Sequence, residues 1–235
     1  MNLNFTVRRI SGIMVMVFLI NGAVSVQSYF AASAYSQKKE EFVHVEKLIE
    51  VLKTRNVDRI VETLVAVLGM DYKGGILPLI RDLWDERKDK YPELPWKIIN
   101  SDIVRVYVAD ILVQAGKNGH IEIDMQPIHD FVWKLIDDID NRDAFVVRMA
   151  ISSLISFDEE SDVDRVLSIA KQQKKATFQT SVMALSYMCN KKARKALEWL
   201  FEHEKKTEFK EYLGKMIRKS GDFNKRSGRC SKLFK

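Results

Sequence analysis

A chain of 235 residues has room for one sizeable domain or a short array of helix pairs, and it excludes two large domains. Hydrophobic residues at 46% and charged residues at 30% exclude a disordered chain, and only four prolines and ten glycines, with no Gly/Ser-rich stretch, favour helices joined by short turns. The net charge of +6 is concentrated at one end: from Lys215 onward eight Lys or Arg stand against Asp222, a net +7, so the rest of the chain is close to neutral.

In chain order, residues 1–34 come first. Arg8 and Arg9 precede an apolar stretch from Ile10 to Val26, and small residues follow it. That order is what a secretory signal requires. Ala32-Ser33-Ala34 offers small side chains at the two positions a signal peptidase reads, so cleavage after Ala34 is expected, with Ala23-Val24-Ser25 as the earlier alternative. The competing reading is an uncleaved membrane anchor over residues 10–26, although Asn21 interrupts a stretch that needs about 20 predominantly apolar residues. Removal of the segment gives an exported protein, periplasmic or secreted, beginning at Tyr35.

Beyond Lys38, apolar residues recur at helical spacing. The stripes run from Phe42 to Leu52, Ile60 to Leu68, Ile76 to Trp84, Ile103 to Leu112 ending near Gly116, and Ile128 to Ile139. They continue from Phe145 to Ile155, Val163 to Ala170, Phe178 to Met188, Ala193 to Phe201 and Phe209 to Ile217. No stretch alternates with period two between hairpin turns, so the fold class expected is all-α. The helices alternate in kind. Val104-Arg105, Val147-Arg148 and the region of Ser181 each open an Ala-containing first helix. Pro127 to Ile136, Val163 to Ala170 and Ala193 to Phe201 are the shorter second helices that follow them.

This pattern of Val-Arg, an Ala-rich helix, a turn and a second helix resembles the HEAT-repeat family, over roughly residues 56–206. Leu135-Ile136-Asp137-Asp138 running into Asp143, Val147-Arg148 and Ala150 carries it best. Gly119 to Gln126 lengthens one connection, Ser152 and Ser153 replace alanines, and Thr180 replaces the arginine in the last unit. The resemblance implies a right-handed α-α superhelix, an armadillo-like solenoid of about four helix pairs. The expected organisation is residues 1–34 as signal or anchor, 35–220 as repeat domain, and 221–235 as a basic flexible tail. Ala109, Ala150 and Ala184 would let neighbouring helices approach closely, and Arg105 and Arg148 would meet turn acids, with Asp102 and Asp143 as candidates.

Chemistry is harder to find. Gly74-Gly75 lacks the Lys-Ser/Thr of a phosphate loop, and His203-Glu204 lacks a second histidine one turn on. His44, His120, His129 and His203 are scattered. The acidic run Asp158 to Asp164 has no glycine for a calcium loop and reads as a turn in which Ser161 or Asp162 caps the next helix. Cys189 and Cys230 exclude a disulfide framework but allow one bridge, with a buried thiol at Cys189 as the alternative. Some HEAT-like proteins are DNA glycosylases, yet the paired tryptophans and nearby catalytic Asp of that group are missing, and export would part the chain from nucleic acid. No catalytic residue, metal or cofactor is assigned.

A surface remains. In a solenoid the second helices line the inner face, which places Trp133, Lys134, Arg165 and Trp199 as the candidate partner-binding residues. The plainer reading makes both tryptophans packed flank residues. The expected function is an exported, non-catalytic scaffold that engages a protein partner, as an inhibitor, immunity or assembly factor. The alternative is a membrane-tethered adaptor whose basic tail touches anionic lipid.

Overall fold

The computed structural model describes residues 45–68 and 75–227, the side chains of Ala176 and residues 221–227 excepted. The expected signal or anchor and the last residues of the expected tail therefore lie outside the described residues. Eleven α-helices, and no strand, occur among the described residues. They are α1 (Val45–Lys53), α2 (Val57–Val67), α3 (Ile76–Trp84), α4 (Trp96–Ile99), α5 (Asp102–Lys117) and α6 (Gln126–Asp137). Then come α7 (Ala144–Phe157), α8 (Val163–Lys171), α9 (Lys175–Tyr187), α10 (Lys191–His203) and α11 (Thr207–Ser227). A turn of 3₁₀ helix, Glu160–Asp162, precedes α8.

Local chemistry starts and stops these helices. Asn56, Asp143 and Asn190 cap α2, α7 and α10, their side-chain oxygens accepting from the backbone N–H of Arg59, Phe145 and Ala193 at 3.1, 2.7 and 2.8 Å. Pro127 stands in the first turn of α6, where its missing N–H costs no helical bond. Asp158 ends α7 in the left-handed region (φ 52°), and its carboxylate accepts from Cys189 N–H at 2.7 Å and Asn190 Nδ2 at 3.1 Å. One strained residue thus ties the end of α7 to the turn between α9 and α10.

Two rows emerge from the packing. Helices α5, α7, α9 and α11 touch in succession, each also packing on the helix that follows or precedes it, and α8 touches α10. The inner members of the first row are buried almost all round, including Val104 to Val113 of α5 and Val146 to Ile155 of α7 apart from Arg105, Arg148 and Met149, whereas α11 buries a single stripe. Ala109, Ala150 and Ala184 are fully buried within it, so small side chains stand where these helices are closest. Ser152 and Ser153 are buried there without leaving donors unmet. Their hydroxyls donate back to the carbonyls of Arg148 and Met149 at 2.9 and 3.1 Å. The second row, α6, α8 and α10, buries one stripe each and keeps an outer face.

Helix α5 ends at Lys117, beside the Gly116 near which the spacing places its end, while two other expectations shift. A Cβ on Gly116 would stand 2.2 Å from Met125 Cε and 3.0 Å from Ile123 Cγ2, so the glycine admits the long connection onto the helix. The stretch expected to be tail from residue 221 is helical as far as Ser227, because α11 docks Phe209, Leu213 and Met216 beneath it and continues. Arg105 meets Glu86 at 3.3 Å and lies over the rings of Trp84 (4.4 Å) and Phe131 (5.3 Å), because Asp102 is already bonded to Arg142. Asp143, the other candidate acid, caps its own helix, and the Arg148 guanidinium lies 5.9 Å from the Phe145 ring.

Candidate functional site

An open groove of about 810 Å³ runs along the outer faces of α6 and α8. Its lining holds Trp133, Lys134 and Arg165, so three of the four residues singled out in the sequence share one site. Helical spacing explains the α6 side, since His129, Trp133 and Asp137 follow one another at i, i+4 and i+8 on one face. From α8 and the turn before it come Arg165, Ser161 and Asp162.

The groove has a hydrogen-bonded floor that the sequence pattern does not reveal. Trp133 is 5% exposed, and its Nε1–H donates to Asp162 Oδ1 at 2.9 Å, with His129 Nε2 at 3.2 Å. The same imidazole nitrogen lies 2.9 and 3.0 Å from the two oxygens of Asp162. Contrary to the reading of the acidic run, Asp162 is no side-chain cap of α8; its carboxylate turns inward to the α6 indole and imidazole. A carboxylate that is 2% exposed needs such donors, because desolvation without them is costly. The signal for this cluster is a His and a Trp one turn apart on α6, and it has no meaning until the acid from the next second helix is placed.

Above the floor the groove is charged. Arg165 lies over the Trp133 ring at 3.5 Å, and its Nη2 donates to both oxygens of Asp137 at 2.6 and 2.9 Å. Arg142 joins Asp102 of α5 and Asp138, the latter through Nε at 2.8 Å. The hydrogen bond from Asn141 and the Arg142 guanidinium hold the Asp138 carboxyl below its ordinary value despite some desolvation. Lys134 is exposed at the rim. Ion pairs between successive second helices repeat at the same separation, Asp137 with Arg165 and Asp164 with Lys192.

Trp199 does not line this groove. It sits on α10, 40% exposed, with His203 stacked on its ring at 4.4 Å and the Lys171 ammonium 4.1 Å from its centroid. Among the described residues no group of three His, Cys, Asp or Glu is gathered to hold a metal ion, and no helix is long and apolar enough to cross a membrane. Cys189 is disulfide-bonded, so the buried-thiol alternative is set aside; Cys230, the chain's other cysteine, lies outside the described residues. Comparison of the chain with protein-family models, curated proteins and solved structures found no match.

Proposed function

We infer that the chain is an exported binding protein, a HEAT-like array of helix pairs that holds a protein partner in the α6/α8 groove and carries out no chemistry there. The observation that carries this reading is the groove itself, which gathers Trp133, Lys134 and Arg165 on the open side of the second helices, the side the repeat reading makes the inner face of the array. Support for the repeat comes from the two-row packing and from the ion pair recurring between consecutive second helices. The charge of the groove favours a protein over a small molecule. Asp130, Asp137, Asp138 and Asp162 stand with Lys134, Arg142 and Arg165 along an open cleft, whereas small-molecule sites are enclosed and mostly apolar.

A photo-crosslinking residue at Lys134 is expected to trap one discrete partner in the cell, and the same group at exposed Lys97 of α4 to trap none. Identical products from both positions, or no product from Lys134, would remove the site. Lys134 is chosen because it is exposed, so its replacement leaves the floor intact.

Export is supported by the order of charge, apolar run and small residues in 1–34 and by the bonded state of Cys189, since disulfides persist in oxidising compartments. Intact mass of the protein recovered from cells is expected to match a chain starting at Tyr35 and lighter than its reduced form by two hydrogens. A mass that retains Met1, with both thiols free, would contradict export.

A further inference from the structure

We propose that the cleft between α10 and α11, at the opposite end from α1, docks the protein on an anionic lipid surface. The cleft, of about 390 Å³, is lined by Phe201, Lys205, Thr207, Lys210, Glu211, Gly214 and Arg218. Three cations stand there against one acid. Across the second-row turns the cations are spoken for: Arg142, Arg165, Lys174 and Lys192 each pair with an aspartate of an earlier segment. Lys205, Lys210 and Arg218 make no ion pair among the described residues. Among the described residues no further helix follows α11 to supply acids, and the three cations of the cleft outweigh Glu211.

The apolar component sits among these charges. Phe201 and Trp199 are the large hydrophobic side chains exposed among the described residues, at 37% and 40%. On one flank of α10, the Trp199 ring is occupied by His203 and Lys171. On the other, Phe201 lies in the cationic cleft, with the Lys210 ammonium 5.3 Å from its centroid and its Cε2 3.3 Å from where a Cβ on Gly214 would stand. An aromatic side chain ringed by Lys and Arg suits the headgroup level of a membrane, where the ring enters the acyl boundary and the cations meet phosphate. Beyond Arg218 the sequence adds Lys219, Lys225, Arg226, Arg229, Lys232 and Lys235 against Asp222 alone, so the chain that follows the cleft is itself strongly basic.

Nucleic acid shares the charge requirement but asks for more. Single strands bind by stacking bases on open aromatic faces. Phe201 already carries the Lys210 ammonium over its ring and has Gly214 beside Cε2, so it offers less than an open stacking platform. Lipid phosphate needs only the cations and a short apolar anchor.

The test is co-sedimentation of the protein, as recovered from cells, with phosphatidylcholine vesicles and with vesicles that also contain phosphatidylglycerol. The quantity read is the gain in bound fraction caused by phosphatidylglycerol. The proposal expects a clear gain at low salt that shrinks at high salt. The triple variant Lys205→Glu, Lys210→Glu, Arg218→Glu should lower the partition coefficient by at least about a hundredfold, from about 1 kcal/mol per cation lost at the surface, with the introduced carboxylates adding to the drop. A control with the same net charge, Lys47→Glu, Lys97→Glu, Lys175→Glu, should keep most of the gain. Absence of a gain, or equal loss in the two triple variants, overturns the proposal. Binding of a single-stranded oligonucleotide, abolished by the cleft variant without any vesicle gain, would replace lipid by nucleic acid as the occupant.

Discussion

Asp110→Asn is expected to stabilise the protein at pH 8 and to leave its stability nearly unchanged at pH 4. Asp110 is in the middle of α5, 1% exposed, and accepts from the Ser156 hydroxyl of α7 at 2.7 Å. Its other oxygen, Oδ2, has no hydrogen-bond partner. Burial pushes the carboxyl up to about 7, with the hydrogen bonds from Ser156 and Gln114 pulling the other way. The sign follows from which state holds the proton. In the unfolded chain the group titrates near its ordinary value of 3.8, and in the folded chain near 7. Between these values the folded state binds more protons, so stability falls as pH rises from about 4 to about 7 and stays low above it. The upper bound on that loss is about 4 kcal/mol, and relaxation of the site will make it smaller. Asparagine keeps an acceptor for Ser156 and removes the charge. Urea denaturation of both proteins at pH 4, 6 and 8 measures it. Equal stability at pH 8, or a variant weaker at every pH, would mean that the carboxylate is well solvated where it stands.

The same residue shows where the sequence stops being legible. Val104 to Val113 reads as an apolar helix, and α5 is one, but amphipathic spacing places an isolated Asp on a solvent face. No such face exists here. Helix α5 is covered by α2, α3, α4, α6 and α7 together, and that encirclement is a property of the packing and not of the stripe. Stripes with one open side are read more closely. Ile76 to Trp84 coincides with α3, and Val163 to Ala170 stops one residue short of the end of α8. Two elements escape the pattern because their signals are short: α4, a single turn from Trp96 to Ile99, and the 3₁₀ turn Glu160–Asp162. The groove is half legible. Repeat spacing aligns Trp133, Lys134 and Arg165 along one surface, but it does not reveal that the Trp133 ring lies under the Arg165 guanidinium of α8. Whether a tryptophan on a helix flank stands out or folds in depends on what the neighbouring helix offers its N–H, and Asp162 offers a carboxylate.

Trp133→Ala is therefore expected to cost about 3 to 5 kcal/mol of stability, the range for removing a buried large aromatic side chain. Trp133→Phe should cost about 1 to 3 kcal/mol, the penalty for a buried acceptor that loses a donor, since Asp162 would keep only His129. The order matters more than the sizes. If the indole were a free contact surface, both replacements would be nearly neutral to folding and would weaken partner capture alone. A buried indole predicts instead that the two variants differ. It also predicts that, in a double-mutant cycle, Trp133→Phe costs far less when Asp162 is already asparagine than when the carboxylate is present, because the two groups share one bond. Urea midpoints for the four proteins of the cycle decide it. Costs below about 1 kcal/mol for the alanine variant, or additive effects of Trp133→Phe and Asp162→Asn, would show that the floor of the groove is not held together through this pair.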